Sequence, residues 1–322
     1  MDADRLNFLA QIAAWYYEED LDQEAIAGRI SRSRSMVSRL LDEARHAGLV
    51  EFRVHYPLRT DPQLERRLCD TFDLKEAIVL AAPPDDNDTL LRRLGELAAR
   101  SVQQVLHPGI VIGVGWGTGV HAVVRAMPSW PVPDAIVVQL IGAVGYGDPL
   151  VDGAELARWL AQKLSATYRY LSAPLLVEDE KVAQSLLRQR SIADTLELAT
   201  HAEIVLVGIG TVKSSLSSLK RAGYLSEAEL AGLEEAGVVG DFLSRQYDCR
   251  GHLADVSHNR RVVGLSDLSS LRAVPRVMAI AGNLVKAPAI LGALRGRFFN
   301  VLVTDALAAA EVLALEQRDR RG

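Results

Sequence analysis

Along the first 46 residues apolar positions recur three and four apart. Leu6, Leu9, Ile12, Ala13 and Tyr16 mark one helical face, and Asp22 stands where it can cap a second helix carrying Ala25, Ile26 and Ile30. A short Ser31-Arg32-Ser33 turn follows, and Ser33 is placed to cap a third helix from Arg34 to His46. On that helix Val37, Leu40, Leu41 and Ala44 share the inner face, which leaves Arg34, Ser35, Ser38, Arg39 and Arg45 outside. Ala47-Gly48 ends it, and Leu49 to Val54 predicts a strand able to form a wing.

Tyr56-Pro57-Leu58-Arg59-Thr60-Asp61-Pro62 places two prolines in a polar stretch and predicts a domain boundary, followed by a connecting helix over Pro62 to Phe72. That helix suits a packing spacer or a dimerisation element. Beyond Lys75 the pattern changes to short apolar, β-branched runs separated by helical stretches. The predicted strands are Ala77–Leu80, Ile110–Val114, Ala135–Ile141, Tyr168–Leu171, Ile204–Ile209, Val262–Leu265, Val277–Ala281 and Val301–Val303. The predicted helices include Thr89–Leu106, Gly119–Ala126, Gly153–Ser165, Lys181–Arg188, Glu227–Glu234, Val285–Leu294 and Asp305–Glu316. Continuous apolar strands alternating with helices predict a parallel sheet covered on both faces, with ligands bound beyond the carboxyl ends of the strands. The division expected is 1–56 for a winged helix-turn-helix domain, 57–75 for the linker and connecting helix, and 76–322 for a larger α/β domain with a Rossmann-like sheet.

Composition bears on this picture through charge. The 322 residues carry a net charge of −5, which at first disfavours a nucleic-acid partner. The charge is unevenly divided: Met1 to Ala27 holds one basic and seven acidic residues, whereas Gly28 to Arg59 holds seven arginines and three acids. Phosphates respond to the local basic surface, because screening over about 8–10 Å hides the rest. A helix, a tight turn and a second helix with Arg and Ser at its N-terminal end is the geometry that presents side chains to a major groove. Arg32, Ser33, Arg34, Ser35, Met36, Ser38 and Arg39 are therefore the candidate DNA-reading residues, Arg for base edges or phosphates and Ser for phosphate. A solvated amphipathic helix pair would show the same apolar spacing, and the charge reversal favours DNA.

In the larger domain, strand Ile110–Val114 runs into Gly115-Trp116-Gly117-Thr118-Gly119 and then a helix. Glycines let a backbone approach an anion, free helix-start amides favour negative charge, and Thr118 adds a hydroxyl. A plain strand-to-helix turn also favours glycine, and the loop is neither a Walker A sequence nor a complete dinucleotide fingerprint. Three further strand ends are expected on the same edge: Gly208-Ile209-Gly210-Thr211, Gly240-Asp241 with Arg245 following, and Gly282-Asn283-Leu284-Val285-Lys286. A lysine in a first helical turn opposes the helix dipole and so invites an anionic partner. Read singly, Lys286 suits a solvated surface and Asp241 a turn. Read together, the amides, Thr118 and Lys286 suit phosphate and Asp241 suits hydroxyls, a pocket for a sugar phosphate. Trp116 is placed to wall it.

Other chemistry is thinly represented. Cys69 and Cys249 are the two cysteines and lack ligand spacing, so no disulfide framework or structural zinc is expected, and a reducing cytoplasm is the expected home. The start has no signal-peptide pattern, and no apolar run approaches the ~20 residues needed to span a bilayer. The histidines have no paired nucleophile or carboxylate motif, and neither HExxH nor GxSxG occurs, so no catalytic residue, metal site or cofactor is assigned. A redox sensor binding a dinucleotide is disfavoured by the incomplete fingerprint.

Ile26-Ala27 followed by Ser33-Arg34-Ser35-Met36-Val37-Ser38-Arg39-Leu40-Leu41 resembles the IA and SRxxVSRLL pattern of the SorC family of bacterial sugar-responsive transcription regulators. Further ordered matches extend over nearly the whole chain. They include Gly113 to Gly119, Gln139-Leu140-Ile141-Gly142, Ala173-Pro174-Leu175, Val207-Gly208-Ile209-Gly210, Gly223-Tyr224-Leu225-Ser226, Gly240-Asp241, Pro275-Arg276-Val277, Ala281-Gly282 with Lys286, and Val301 to Asp305. The resemblance implies an effector domain similar to the glucosamine-6-phosphate deaminase type, binding a phosphorylated sugar that alters operator affinity. It implies phosphate contact at Thr118, its flanking glycines Gly117 and Gly119, and Lys286, and sugar contact at Asp241, with Gly115, Trp116, Gly208 and Gly210 completing the expected effector-binding set. It also implies a repressor-type regulator of double-stranded operator DNA, working as a homodimer or homotetramer away from membranes. The alternative is a sugar-phosphate isomerase or deaminase with a DNA-binding head.

The chain departs from the family pattern at three places. Ser244 precedes Arg245 where many members have glycine, the loop reads GTG where several have GTT or GRT, and Asp152-Gly153-Ala154-Glu155 replaces an NE pair. Sugar selectivity is expected at the last of these.

Overall fold

A computed structural model of the protein describes residues 3–50, 58–145 and 151–320. The chain divides into two units, Met1–Pro57 and Leu58–Gly322.

The first unit contains α1 (Ala3–Tyr17), α2 (Gln23–Ile30) and α3 (Arg34–His46). Asp22 caps α2 by accepting from the amides of Glu24 and Ala25, and Ser33 caps α3 by accepting from Met36. Ser31 closes α2 in the left-handed region, which turns the chain sharply into α3. Leu9, Ile12, Ile26, Val37, Leu40, Leu41 and Ala44 form the shared core. Each buried aliphatic side chain contributes roughly 1.5–3 kcal/mol relative to exposure, so this small unit depends on nearly all of them. The pattern misplaces one position: Ala25 is exposed and Ala27 is buried in its stead, because Asp22 caps α2 in a register that turns Ala27 inward beside Ile26. Residues 51–54 of the expected wing strand lie outside the described residues.

The second unit begins with α4 (Pro62–Phe72), β1 (Glu76–Leu80), α5 (Asn87–Gln103), β2 (Val111–Val114), α6 (Thr118–Ala126) and β3 (Ile136–Gln139). It continues with α7 (Gly153–Leu164), β4 (Thr167–Arg169), α8 (Glu180–Leu187), α9 (Arg190–Thr200), β5 (Ile204–Gly208), α10 (Ser218–Arg221) and α11 (Glu227–Glu235). Then come β6 (Val238–Phe242), β7 (Arg245–Asp248), α12 (Ser257–Arg261), β8 (Arg276–Ile280), α13 (Ala287–Arg295), β9 (Val301–Asp305) and α14 (Ala306–Asp319). Seven strands form a parallel sheet in the order β1-β9-β8-β5-β2-β3-β4. Buried residues on the two faces of this sheet form two separate apolar clusters, as a sheet covered by helices on both sides requires. From β2 the chain proceeds outward one way through β3 and β4, and from β5 the other way through β8 and β9. The reversal between β2 and β5 opens a crevice at their carboxyl ends, the place where such sheets bind ligands.

Three sequence expectations change. Val262–Leu265 is no strand: it makes only isolated bridges from Val262 to Leu176 and from Gly264 to Ile141. Its residues are buried, and the apolar run recorded burial rather than sheet membership. Asp241 does not end a strand of the parallel sheet. It lies within β6, which pairs antiparallel with β7 in a separate two-stranded ribbon. The helix expected over Val285–Leu294 is divided into a 3-10 turn, Leu284–Lys286, and α13, with Pro288 in the first turn of α13. Lys286 therefore stands at the N-cap of α13 rather than inside its first turn.

Candidate functional site

In the first unit, the seven candidate DNA-reading residues occupy the turn and the N-terminal half of α3. Arg32, Ser33, Arg34, Ser35, Met36 and Arg39 are exposed and Ser38 is half-buried. Met36 is 40% exposed, an apolar side chain left at the surface. Ser33 Oγ is shared between the Met36 amide at 3.3 Å and Ser35 Oγ at 2.9 Å. The basic surplus is divided by the fold. Arg45 pairs with Asp42, and Arg29 lies 3.5 Å from Glu19 and over the Trp15 ring at 5.3 Å. Arg32, Arg34 and Arg39 make no ion pair among the described residues, so the uncompensated positive charge collects at this end of α3.

In the second unit, a small pocket open to solvent lies at the β2/β5 crevice. Of the nine predicted effector-site residues, Trp116, Gly117, Thr118, Gly119, Gly208, Gly210, Asp241 and Lys286 line it, and Gly115 does not. The Gly115 amide donates to the Leu206 carbonyl at 2.9 Å, which fastens the end of β2 to β5 behind the pocket wall. Gly117, with φ of 101°, reverses the chain into α6, and no side chain caps that helix. The first-turn amides of α6 are thus left for a ligand. The Gly117 amide itself is occupied, donating to the Val151 carbonyl at 2.9 Å. The segment expected to set selectivity stands behind this loop: Asp152 caps α7, and Glu155 pairs with Arg158 at 2.7 Å.

Asp241 reaches the pocket through two reciprocal backbone bonds. The Gly210 amide donates to the Asp241 carbonyl at 2.8 Å, and the Asp241 amide donates back at 3.4 Å. Gly210 is required for this approach, since a methyl group on it would overlap the Asp241 carboxylate. Asp241 is only 7% exposed. Burial raises its pKa to about 6, against the opposing pull of the Lys286 charge and a hydrogen bond from the Ser244 amide. Lys286 Nζ donates to the Ile209 carbonyl at 2.7 Å. Burial lowers its pKa to about 8, with Asp241 raising it and Arg221 lowering it. At neutral pH the pocket therefore holds a carboxylate and an ammonium, each close to its titration range.

Four lining residues escaped the sequence reading: Ile209, Ser218, Leu243 and Ile280. Ser218 opens α10 after the cap residue Ser217, a local signal that was available. Leu243 carried none, because its position depends on the β6–β7 ribbon. Arg245 is turned away from the pocket: it donates to the carbonyls of Asn259 at 2.7 Å, Leu265 at 3.3 Å and Val262 at 3.5 Å. It holds the Val262–Leu265 segment in place. Among the described residues no group of acids, histidines or cysteines is arranged to bind a metal, and no helix is long and apolar enough to cross a membrane.

Comparison with known proteins gives a consistent set of likenesses. A family model described as a sugar-binding domain matches residues 56–314. The deoxyribonucleoside regulator of Bacillus subtilis is 32% identical over 305 residues, covering 95% of this chain and 96% of that protein. The sorbitol operon regulator of Klebsiella pneumoniae is 29% identical over 94% of this chain and 96% of its own length. The crystal structure of that full-length regulator, SorC, superposes with a TM-score of 0.71 and covers 97% of this chain and all of that one. The sugar-binding domain of a transcriptional repressor from Vibrio fischeri gives a TM-score of 0.71 over 80% of this chain, at 29% identity.

Proposed function

The chain belongs to the SorC family of sugar-binding transcriptional regulators, and from that membership we propose how its two units divide the work. It is a sugar-responsive transcriptional regulator. The effector is a phosphorylated sugar. Its phosphate lies on the first-turn amides of α6 with Thr118 and Lys286, and its hydroxyls meet Asp241. The observation that carries this is Lys286, a half-buried ammonium held at 2.7 Å on the Ile209 carbonyl, in a pocket that also holds a helix start no side chain caps. Buried charge is costly unless a partner offsets it, and an anion at the uncapped helix start supplies one.

In the first unit Arg32, Arg34 and Arg39 contact duplex DNA, with Ser33, Ser35, Met36 and Ser38 completing the surface. One head of this size makes few contacts, so a homodimer or homotetramer reading two half-sites supplies the affinity. The sugar phosphate acts by binding one arrangement of the heads more tightly than the other, since equal binding shifts nothing. The relatives are named as regulators, and the chain is read as a regulator without catalytic turnover.

A thermal-shift panel tests the pocket with inorganic phosphate, ribose 5-phosphate, glucose 6-phosphate, fructose 6-phosphate and the three free sugars. A ligand at 100 times its Kd stabilises by roughly 2.7 kcal/mol. Stabilisation by phosphorylated members and none by free sugars is expected. No response to any phosphorylated member refutes the assignment.

An enzyme is the second reading, favoured by the presence of Asp241 and Lys286 in one pocket, where burial moves both towards neutrality and so suits them to proton transfer. Turnover of any panel member, lost in Asp241→Asn, would establish that reading.

A further inference from the structure

Leu243 and Ser244 join β6 to β7, and both have left-handed backbone, with φ of 47° and 60°. Two positive φ values in a two-residue hairpin loop are the signature of a type I′ turn, which normally takes Asn or Gly. Leu in that conformation is costly and persists only where its surroundings over-determine it. Here they do. Ser244 is fully buried, and each of its polar groups has a partner. Its amide donates to the Asp241 carboxylate, its Oγ accepts from Trp116 Nε1 at 2.9 Å, and its carbonyl oxygen lies 3.1 Å from His258 Nε2. Burial lowers the His258 pKa to about 4, so the ring is neutral and Nε2 carries the donated proton.

Trp116 and Asp241 line the pocket on different elements, and Ser244 touches both without lining it. Trp116 is 7% exposed and its indole N–H is engaged by Ser244, so what its side chain can present to the pocket is apolar ring, and Leu243 lines the same pocket with an apolar side chain. The phosphate cradle is a different set of groups, the start of α6 two residues on from Trp116 together with Lys286. We infer that Ser244 is a positioning residue for the sugar moiety: it fixes the Trp116 ring as a flat apolar wall, with Leu243, that selects sugar phosphates presenting a C–H face. This rests on the pocket reading above and adds the element that separates a sugar phosphate from bare phosphate.

Ser244→Gly removes the CH2OH side chain and with it the Trp116 acceptor, while glycine adopts φ of 60° freely and keeps the amide and carbonyl groups in place. Trp116→Phe keeps an aromatic ring and removes the donor. In both variants, Kd for the sugar phosphates of the panel is expected to rise about five- to tenfold, the worth of one buried hydrogen bond. The double variant should be no weaker than either single one, and Kd for inorganic phosphate should move less than about twofold in Ser244→Gly. A readout without ligand accompanies these titrations. In full-length protein labelled with 5-fluorotryptophan, the resonance lost in Trp116→Phe is expected to shift in Ser244→Gly. An unmoved resonance overturns the inference, as does a sugar-phosphate to phosphate affinity ratio that stays at the wild-type value while only the melting temperature falls. Wild-type protein that answers no phosphorylated member of the panel overturns the pocket reading and this inference with it. Wild-type protein that answers, beside a Ser244→Gly variant that answers identically, overturns this inference alone.

Discussion

Lys286 is the residue whose charge the pocket most depends on, and its titration allows that dependence to be measured without mutation. With a pKa of about 8 in the unliganded protein, about nine-tenths of the side chain is protonated at pH 7 and about one-tenth at pH 9. A bound phosphate holds the lysine protonated, so the observed Kd scales inversely with the protonated fraction and should weaken about tenfold between pH 7 and pH 9. The phosphate group stays a dianion over that interval and contributes nothing to the slope. Lys286→Met keeps the length of the side chain and removes the charge. Its Kd for a binding sugar phosphate should be weaker by about tenfold or more at pH 7 and flat from pH 7 to pH 9. Stability should move independently of this. The folded state lowers the lysine pKa below its ordinary value of 10.5, so wild-type stability is depressed while the buried group is charged and recovers as pH rises from 8 towards 10.5. The variant lacks that recovery. Isothermal titration calorimetry at pH 7, 8 and 9 reads the affinities, and chemical denaturation from pH 7 to pH 10.5 reads the stabilities. A wild-type Kd that does not change between pH 7 and pH 9, or a variant that keeps the wild-type slope, refutes the placement of phosphate on Lys286.

Gly210→Ala forces a methyl group into the Asp241 carboxylate, and overpacking of this kind costs about 1–3 kcal/mol. Thermal denaturation should show that loss and sugar-phosphate binding should fall with it, whereas unaltered binding would separate Asp241 from the ligand. Arg34→Ala and Arg39→Ala should each weaken binding to duplex DNA and reduce the slope of log K against log salt by about 1. Fluorescence anisotropy over a salt series checks this, and unchanged slopes in both variants would remove α3 from the DNA surface. His258 is held neutral in the fold with a pKa of about 4, below its ordinary 6.5, so the folded state should lose stability as pH falls from 6.5 towards 4. Denaturation of wild type against His258→Gln over that range should show a larger loss in wild type, and parallel curves would contradict the buried neutral ring.

The local parts of this architecture were legible in the residues. Ser33 and Asp22 announce helix starts because a side-chain oxygen bonds to an amide two or three residues on, a purely local event. The alternation of apolar runs with helical stretches indicated a parallel sheet, and Gly117 marked the turn into α6 because few other residues adopt its φ. The expected convergence of strand ends on one edge brought Asp241 and Lys286 into one pocket with that loop, and the family resemblance pointed to the same residues.

Sequence alone thus determined the helix starts, the class of sheet and the glycine loop at its switch point, since each follows from the backbone preferences of neighbouring residues. Tertiary structure decided the rest. Asp241 arrives by an antiparallel ribbon that clasps Gly210, where the sequence pattern suggested the end of a parallel strand. The apolar run at Val262–Leu265 had a strand's composition but is held by Arg245 as buried coil. Trp116 and Ser244 meet across 128 residues of chain and Lys286 and Ile209 across 77. Such pairings, and the burial that brings Lys286 near neutrality, arise only when distant segments exclude water together, because desolvation belongs to the packed assembly and to no residue in it.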